Sequence, residues 1–162
     1  MTADPPPELS PAARRLIERL DLEPHPEGGY YRQTHKSDIR LPRDALPGGY
    51  PGDRAVCTCI LFLLPAGARS RPHRVRSEEL WLHHAGDDLC LGLSPALDDD
   101  GSTTDQLTLG SGPDARFQAV VPPGHWQEAE PLPGPHGYTL CACVVAPGFE
   151  FEDFEMAGDE KH

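Results

Sequence analysis

Gly67-Ala68-Arg69-Ser70-Arg71-Pro72-His73-Arg74-Val75-Arg76-Ser77-Glu78-Glu79-Leu80-Trp81-Leu82-His83-His84-Ala85-Gly86 is the stretch on which the reading of this chain turns. Its spacing is G-x5-H-x-V-x3-E-x6-G, with the glycines at the tight turns that bring two short strands together. Residues two apart on a strand share a face, so His73 and Val75 are expected to point one way. Glu79, Trp81 and His83 are expected to share a face on the next strand, with Leu80, Leu82 and His84 on the other. A histidine and a carboxylate aimed into the same space are a candidate proton-transfer or metal-ligating pair.

The rest of the chain fits an all-β setting. Sixteen glycines and nineteen prolines are scattered through 162 residues, which argues for many turns between short strands and against a helical bundle. Apolar runs at Val56 to Leu64, Leu89 to Leu93, Gln106 to Leu109, Phe117 to Val121 and Tyr138 to Val145 read as strands. A further strand over 27–36 is entered through Gly28-Gly29. Ser10 followed by Pro11 predicts a helix start, with Ala13, Leu16, Ile17 and Leu20 as one apolar stripe on a helix ending near Leu20. The expected organisation is a disordered stretch over 1–9, one domain over 10–155, and an acidic tail over 156–162, with fraying from Glu150 onward. The Pro/Gly-rich loop from Leu41 to Asp53 is a candidate lid, and Asp98 to Gly101 a solvated hairpin tip.

A net charge of -12 disfavours nucleic acid and anionic membrane surfaces as partners, and leaves small molecules as the natural ones. No stretch has the length of a membrane span, and Met1 to Ser10 lacks the apolar core of a signal peptide, so the expected location is cytoplasmic. Cys57, Cys59, Cys90, Cys141 and Cys143 read as free buried thiols. The alternative is a thiolate metal site built from the two C-x-C pairs on adjacent strands.

Gly67, His73, Glu79 and Gly86 match the first motif of the cupin superfamily, G-x5-H-x-H-x3-E-x6-G, with Val75 in place of the second histidine. The second motif, G-x5-P-x-G-x2-H-x3-N, is met by Arg116, Pro122, Gly124, Gln127 and Pro131, so only the turn-forming proline and glycine survive. Together with Pro24-His25-Pro26-Glu27-Gly28-Gly29-Tyr30-Tyr31-Arg32, Pro122-Pro123-Gly124-His125-Trp126-Gln127 and Val145-Ala146-Pro147-Gly148-Phe149-Glu150-Phe151, the chain resembles the fifth cupin subfamily over roughly residues 13 to 155. That resemblance implies a double-stranded β-helix, or jelly-roll barrel, with a short N-terminal helix, and a homodimer in which N-terminal strands extend the neighbouring sheet. Relatives of this kind have been compared with seed storage proteins and deoxysugar epimerases.

Three functions follow from these residues. The first is a metal-independent isomerase or epimerase acting next to a carbonyl on a sugar-like or keto-acid substrate. In it His73 is the general base, Glu79 orients or charges it, and Gln127 with Arg32 or a tyrosine holds the developing oxyanion. The expected substrate-binding set is Arg32, Ser70, Trp81, His83, Trp126, Gln127 and Tyr138, with no cofactor. The second is a metal-dependent enzyme in which His73, Glu79, His83 and Gln127 hold a divalent first-row ion. The third is a binding module without chemistry, whose cup is walled by Trp81, Trp126 and tyrosines.

Overall fold

A computed structural model of the protein describes residues 7–159. Most of the expected N-terminal stretch, residues 1–6, and the end of the expected tail, residues 160–162, lie outside the described residues. The chain opens with helix α1 (Pro11–Arg19), where the Ser10 hydroxyl accepts a hydrogen bond from the Ala13 amide and Pro11 occupies the first turn. Thirteen strands follow: β1 (Glu23–Pro24), β2 (Tyr30–Lys36), β3 (Arg40–Leu41), β4 (Arg54–Ala55), β5 (Thr58–Pro65), β6 (Ser70–Val75), β7 (Glu78–Gly86), β8 (Leu89–Ser94), β9 (Asp105–Leu109), β10 (Gln118–Val121), β11 (Trp126–Pro131), β12 (Tyr138–Ala146) and β13 (Phe154–Met156).

They form two antiparallel sheets. One runs β1-β2-β5-β12-β7-β10 and the other β13-β6-β11-β8-β9, with β3 and β4 as a separate small ribbon. The order is that of a jelly roll, because strands distant in sequence, such as β5, β12 and β7, lie side by side. β12 is buried on both faces, which is why its sequence is a continuous apolar run and does not alternate. Its inward residues Cys141 and Cys143 join the main core, while Tyr138 and Leu140 point outward under α1.

The main core occupies one half of the barrel. Phe62, Leu64 and Trp81 meet Leu89, Leu91, Leu109 and Ala129 across the two sheets, and a second cluster of Ala13, Leu22, Leu63, Tyr138 and Leu140 seats the helix on the outer face. Each leucine or phenylalanine among them stabilises the fold by about 1.5–3 kcal/mol when fully buried. Trp81 closes the packed half: its ring meets Phe62 edge-on at 5.8 Å, and beyond it the interior is open.

Three expectations change here. The segment from Glu150 onward does not fray before Met156. The nearly buried Arg54 bonds both carboxylate oxygens of Asp153, at 2.8 and 2.9 Å, which anchors the turn Phe151–Asp153 and lets β13 pair with β6. The loop from Leu41 to Asp53 contributes no residue to the interior space. It packs beside the barrel through the hydrogen bond between Tyr50 and Ser77 hydroxyls at 2.7 Å. Cys59 lies on the face of β5 opposite to that of the core-facing Cys141 and Cys143, since it opposes the outward Val144, and Cys57 precedes β5, so the described residues present no shared thiolate site. The strand β11 was not among the apolar runs, because Gln127, Glu128 and Glu130 break its hydropathy.

Candidate functional site

The open half of the barrel is a cavity of about 220 Å³. It is smaller than the roughly 300–1,000 Å³ of pockets that take drug-sized ligands, which sizes it for one small molecule. β6 supplies His73 and Val75, β7 supplies Glu79 and Trp81, β12 supplies Cys143 and Val145, and the C-terminal segment supplies Phe149, Phe151 and Phe154.

His73 is the hub. Its Nδ1–H donates to the Arg71 carbonyl at 2.8 Å, and its Nε2–H donates to Glu27 at 2.8 Å, so both ring nitrogens are used as donors and the ring is an imidazolium. Burial alone would discharge it, but the Glu27 carboxylate, aided by Glu79, outweighs burial and lifts its pKa to about 9. Glu27 is held below the ordinary carboxylate range, because the attraction and hydrogen bond of His73 overcome the opposing effect of burial.

Glu27 arrives from outside the β-pattern. It precedes Gly28-Gly29 on the turn into β2, and its carbonyl accepts from the Arg71 amide at 2.8 Å, which ties the turn to β6. Gly28 has φ 113°, and a Cβ there would stand 2.2 Å from the Arg69 carbonyl oxygen, so only glycine permits this approach.

Glu79 has the opposite environment. Burial is the main influence, with Glu27 adding repulsion and His73 only partly offsetting it, and its pKa rises to about 7. Its hydrogen bond is a long one, from Gln127 Nε2 at 3.3 Å. The amide is oriented by Trp81, whose indole N–H donates to Gln127 Oε1 at 2.8 Å; indole can only donate, so the amide nitrogen must face Glu79.

His25 and Tyr31 complete the polar wall. The Glu27 amide donates to His25 Nδ1 at 3.1 Å, which leaves the proton of the neutral ring on Nε2. Burial pushes the His25 pKa down, against the pull of Glu27 and with the help of His73. Phe154 stacks on His73 at 5.5 Å and shields the ion pair.

Of the residues singled out from the sequence, His73, Glu79, Trp81 and Gln127 come together here. Ser70 is fully buried beside Glu27 and lines no open space. Its hydroxyl makes no hydrogen bond of standard geometry and helps only weakly to keep Glu27 ionised. Arg32 is exposed on the face of β2 opposite Tyr31 and Gln33. Trp126 carries the Arg74 guanidinium on its ring at 4.6 Å, and Tyr138 lies under α1. His83 sits further along β7, where its Nε2 bonds the Asp87 carbonyl at 3.1 Å. It does not line the cavity, so His73, Glu79, His83 and Gln127 are not brought together as a ligand set. The partner of His73 is Glu27, which the motif spacing does not mention.

The family model for the Cupin superfamily (DUF985) matches residues 14–157. The chain is a cupin. Among solved structures this cupin is similar to a hypothetical protein from Leishmania major, at 32% identity with TM-score 0.73, covering 88% of this chain and 85% of that one. A Shewanella oneidensis protein is similar at 33% identity with TM-score 0.71, covering 89% and 83%. Oxalate decarboxylase from Bacillus subtilis shares the fold, at 16% identity and TM-score 0.54; the cupin spans 86% of its own length but about a third (31%) of that chain. No curated protein matches it. No helix among the described residues is long and apolar enough to cross a membrane.

One of the oxalate decarboxylase structures concerns Mn(II) centres. The residues of this cupin do not fit such an ion. Val75 offers no lone pair, both nitrogens of His73 are committed as donors, and no group of three or more His, Cys, Asp or Glu among the described residues is arranged to hold a metal.

Proposed function

We propose that this cupin is a small-molecule isomerase or epimerase that moves a proton next to a carbonyl without a metal, on a sugar-like or keto-acid substrate. The observation that carries the reading is the pair of buried carboxylates about one imidazolium. Glu27 is locked as the counterion of His73, and Glu79 is left poised near neutrality at the cavity wall. Environments that push two like groups apart in pKa divide the roles of acid, base and charge between them.

In this reading Glu79, as the carboxylate, takes the proton from the carbon beside the carbonyl, and the C–H electron pair becomes the enolate. Return of the proton to the other face of the same carbon gives the epimer; its return to the former carbonyl carbon, with the hydroxyl proton of the adjacent carbon passing to the former carbonyl oxygen, gives the isomer. Glu79 is a carboxylate again at the end, and no electrons are exchanged with a third party. The His73 imidazolium acts on Glu79, partly offsetting the burial and repulsion that raise its pKa, and Gln127 keeps Glu79 aimed. General base action is thereby assigned to Glu79, and His73 becomes an electrostatic partner.

The test is proton exchange. Aldoses, ketoses and keto-acids are incubated with the protein in heavy water, and the carbon-bound proton signals are followed by NMR. Wash-out that is absent in Glu79→Gln is the expected result. Ligand binding with no wash-out across the panel would replace the enzyme by a binding module.

The reading includes a homodimer, supported by Phe117 (67% exposed) and Val120 (52% exposed) at the edge strand β10. Sedimentation velocity at micromolar concentration tests it, a single monomeric boundary being the contrary outcome. A cytoplasmic location belongs to the same reading and is supported by five cysteines that are all unpaired.

A further inference from the structure

The cavity's charges discriminate between the two substrate classes left open. Its charged or chargeable walls are Glu23, Glu27, Glu79, His73 and His25, with the Tyr31 hydroxyl and the Cys143 thiol beside them. No lysine or arginine among the described residues lines it. Among the described lining residues the one cation, His73, is neutralised by Glu27 at 2.8 Å and has no N–H left to give. Glu23 stands exposed at the rim, and Glu79 is inside. An entering carboxylate or phosphate therefore meets a negative rim and a negative base, and finds no free cationic side chain to hold it as an arginine fork or a lysine would.

A neutral oxygen is better served. His25 Nε2–H makes no hydrogen bond to another described residue, and its ring is fixed by the Glu27 amide at Nδ1 and by edge contacts to Tyr31 at 4.5 Å and Phe62 at 5.7 Å. Held in that way, it offers a neutral donor to a carbonyl or hydroxyl oxygen. Ile60, Val75, Val145 and the phenylalanines supply apolar surface for the C–H faces of the same molecule. The size, about 220 Å³, suits a monosaccharide or smaller.

Resting on the proton-transfer reading of this cavity, we infer that its substrate is an uncharged hydroxy-carbonyl compound of sugar type, received by His25 Nε2–H, and that keto-acid anions are excluded. The recognition is by neutral hydrogen bonding and exclusion of charge.

Binding decides it without requiring turnover. Dihydroxyacetone, ketopentoses and ketohexoses serve as neutral probes, with pyruvate, 2-ketobutyrate and 2-ketogluconate as anionic ones. Kd is measured for each by titration calorimetry and ligand-observed NMR at pH 8 and pH 5.5. At pH 8 the best neutral probe is expected to bind at least tenfold more tightly than the best anion. The gap should narrow at pH 5.5, where Glu79, with its pKa near 7, is protonated. Glu79→Gln should narrow the gap at pH 8, and the comparison of the two pH values in the unaltered protein stands if that variant does not fold. A keto-acid that binds the unaltered protein at pH 8 as tightly as the best neutral probe overturns the inference, as does failure of every neutral probe to bind. Neutral binding with no proton exchange would sink the proposed reaction and leave this selectivity standing; exchange on a keto-acid anion would do the reverse.

Discussion

Two buried carboxylates near a histidine, Asp87 and Glu79, are built to opposite ends in this barrel. Asp87, on the turn between β7 and β8, accepts from the His136 amide at 3.0 Å, the Gly137 amide at 2.9 Å and His136 Nδ1 at 3.0 Å. Burial works against its charge but is outweighed by those bonds, and its pKa falls below the usual range. Glu79 is equally hidden, yet its hydrogen bond is long and its pKa rises to about 7. The difference is the supply of donors. Backbone amides favour the ionised form of Asp87, which clasps two loops, whereas Glu79 faces an open cavity, with a proton that can come or go near neutral pH.

The sharpest way to break that contrast is Glu79→Gln. Removal of the proposed base is expected to lower proton exchange by about 10²–10⁴-fold, with the fold retained in circular dichroism; exchange within threefold of the parent would remove Glu79 from the proposed reaction. Glu27→Gln comes next. It leaves the His73 imidazolium buried without its counterion, an expected loss of about 3–5 kcal/mol in urea unfolding.

The unaltered protein should show the same contrast through pH. Glu79 and His73 both have folded pKa values above their ordinary ones, so each contributes stability that is full at low pH and lost as pH rises. The loss runs between about 4.5 and 7 for Glu79 and between 6.5 and about 9 for His73. Glu27 and Asp87 have lowered values, and their contribution is lost as pH falls. Thermal unfolding should therefore show stability declining from mildly acidic to alkaline pH, with the lower part of the decline absent in Glu79→Gln.

At the other site Asp87→Asn is expected to cost about 1–3 kcal/mol, because an amide cannot accept all three bonds, and to leave proton exchange untouched. The smallest effect belongs to His83→Asn, under about 1 kcal/mol, since only its bond to the Asp87 carbonyl is lost. A larger loss of exchange than of stability in His83→Asn would place that residue in the chemistry after all.

Much of the site was readable in the chain because strand periodicity carries direction. His73, Val75, Glu79 and Trp81 fall on inward faces as their spacing requires. Gln127 follows from the second motif. Glu27 and His25 could not be found that way. They lie on an irregular turn, where no period fixes a side chain's direction, and their place depends on Gly28 passing against the Arg69 carbonyl. The one local signal was the double glycine after Glu27, which marks a close approach without saying to what. Arg32, Trp126 and Tyr138 have the chemistry of ligand contacts, but strand parity puts Arg32 and Tyr138 on outer faces.

The amino-acid sequence alone determined the fold class, the helix cap at Ser10, the inward face of β7 and the loss of a second histidine at Val75, because these depend on local pattern and residue chemistry. Only the tertiary structure decided which carboxylate neutralises His73 and which is left at the cavity wall with its pKa raised. A motif can place Glu79 beside His73, but the assignment rests on the 2.8 Å contact with Glu27 from a distant turn, and on an interior dry enough to make each missing hydrogen bond count.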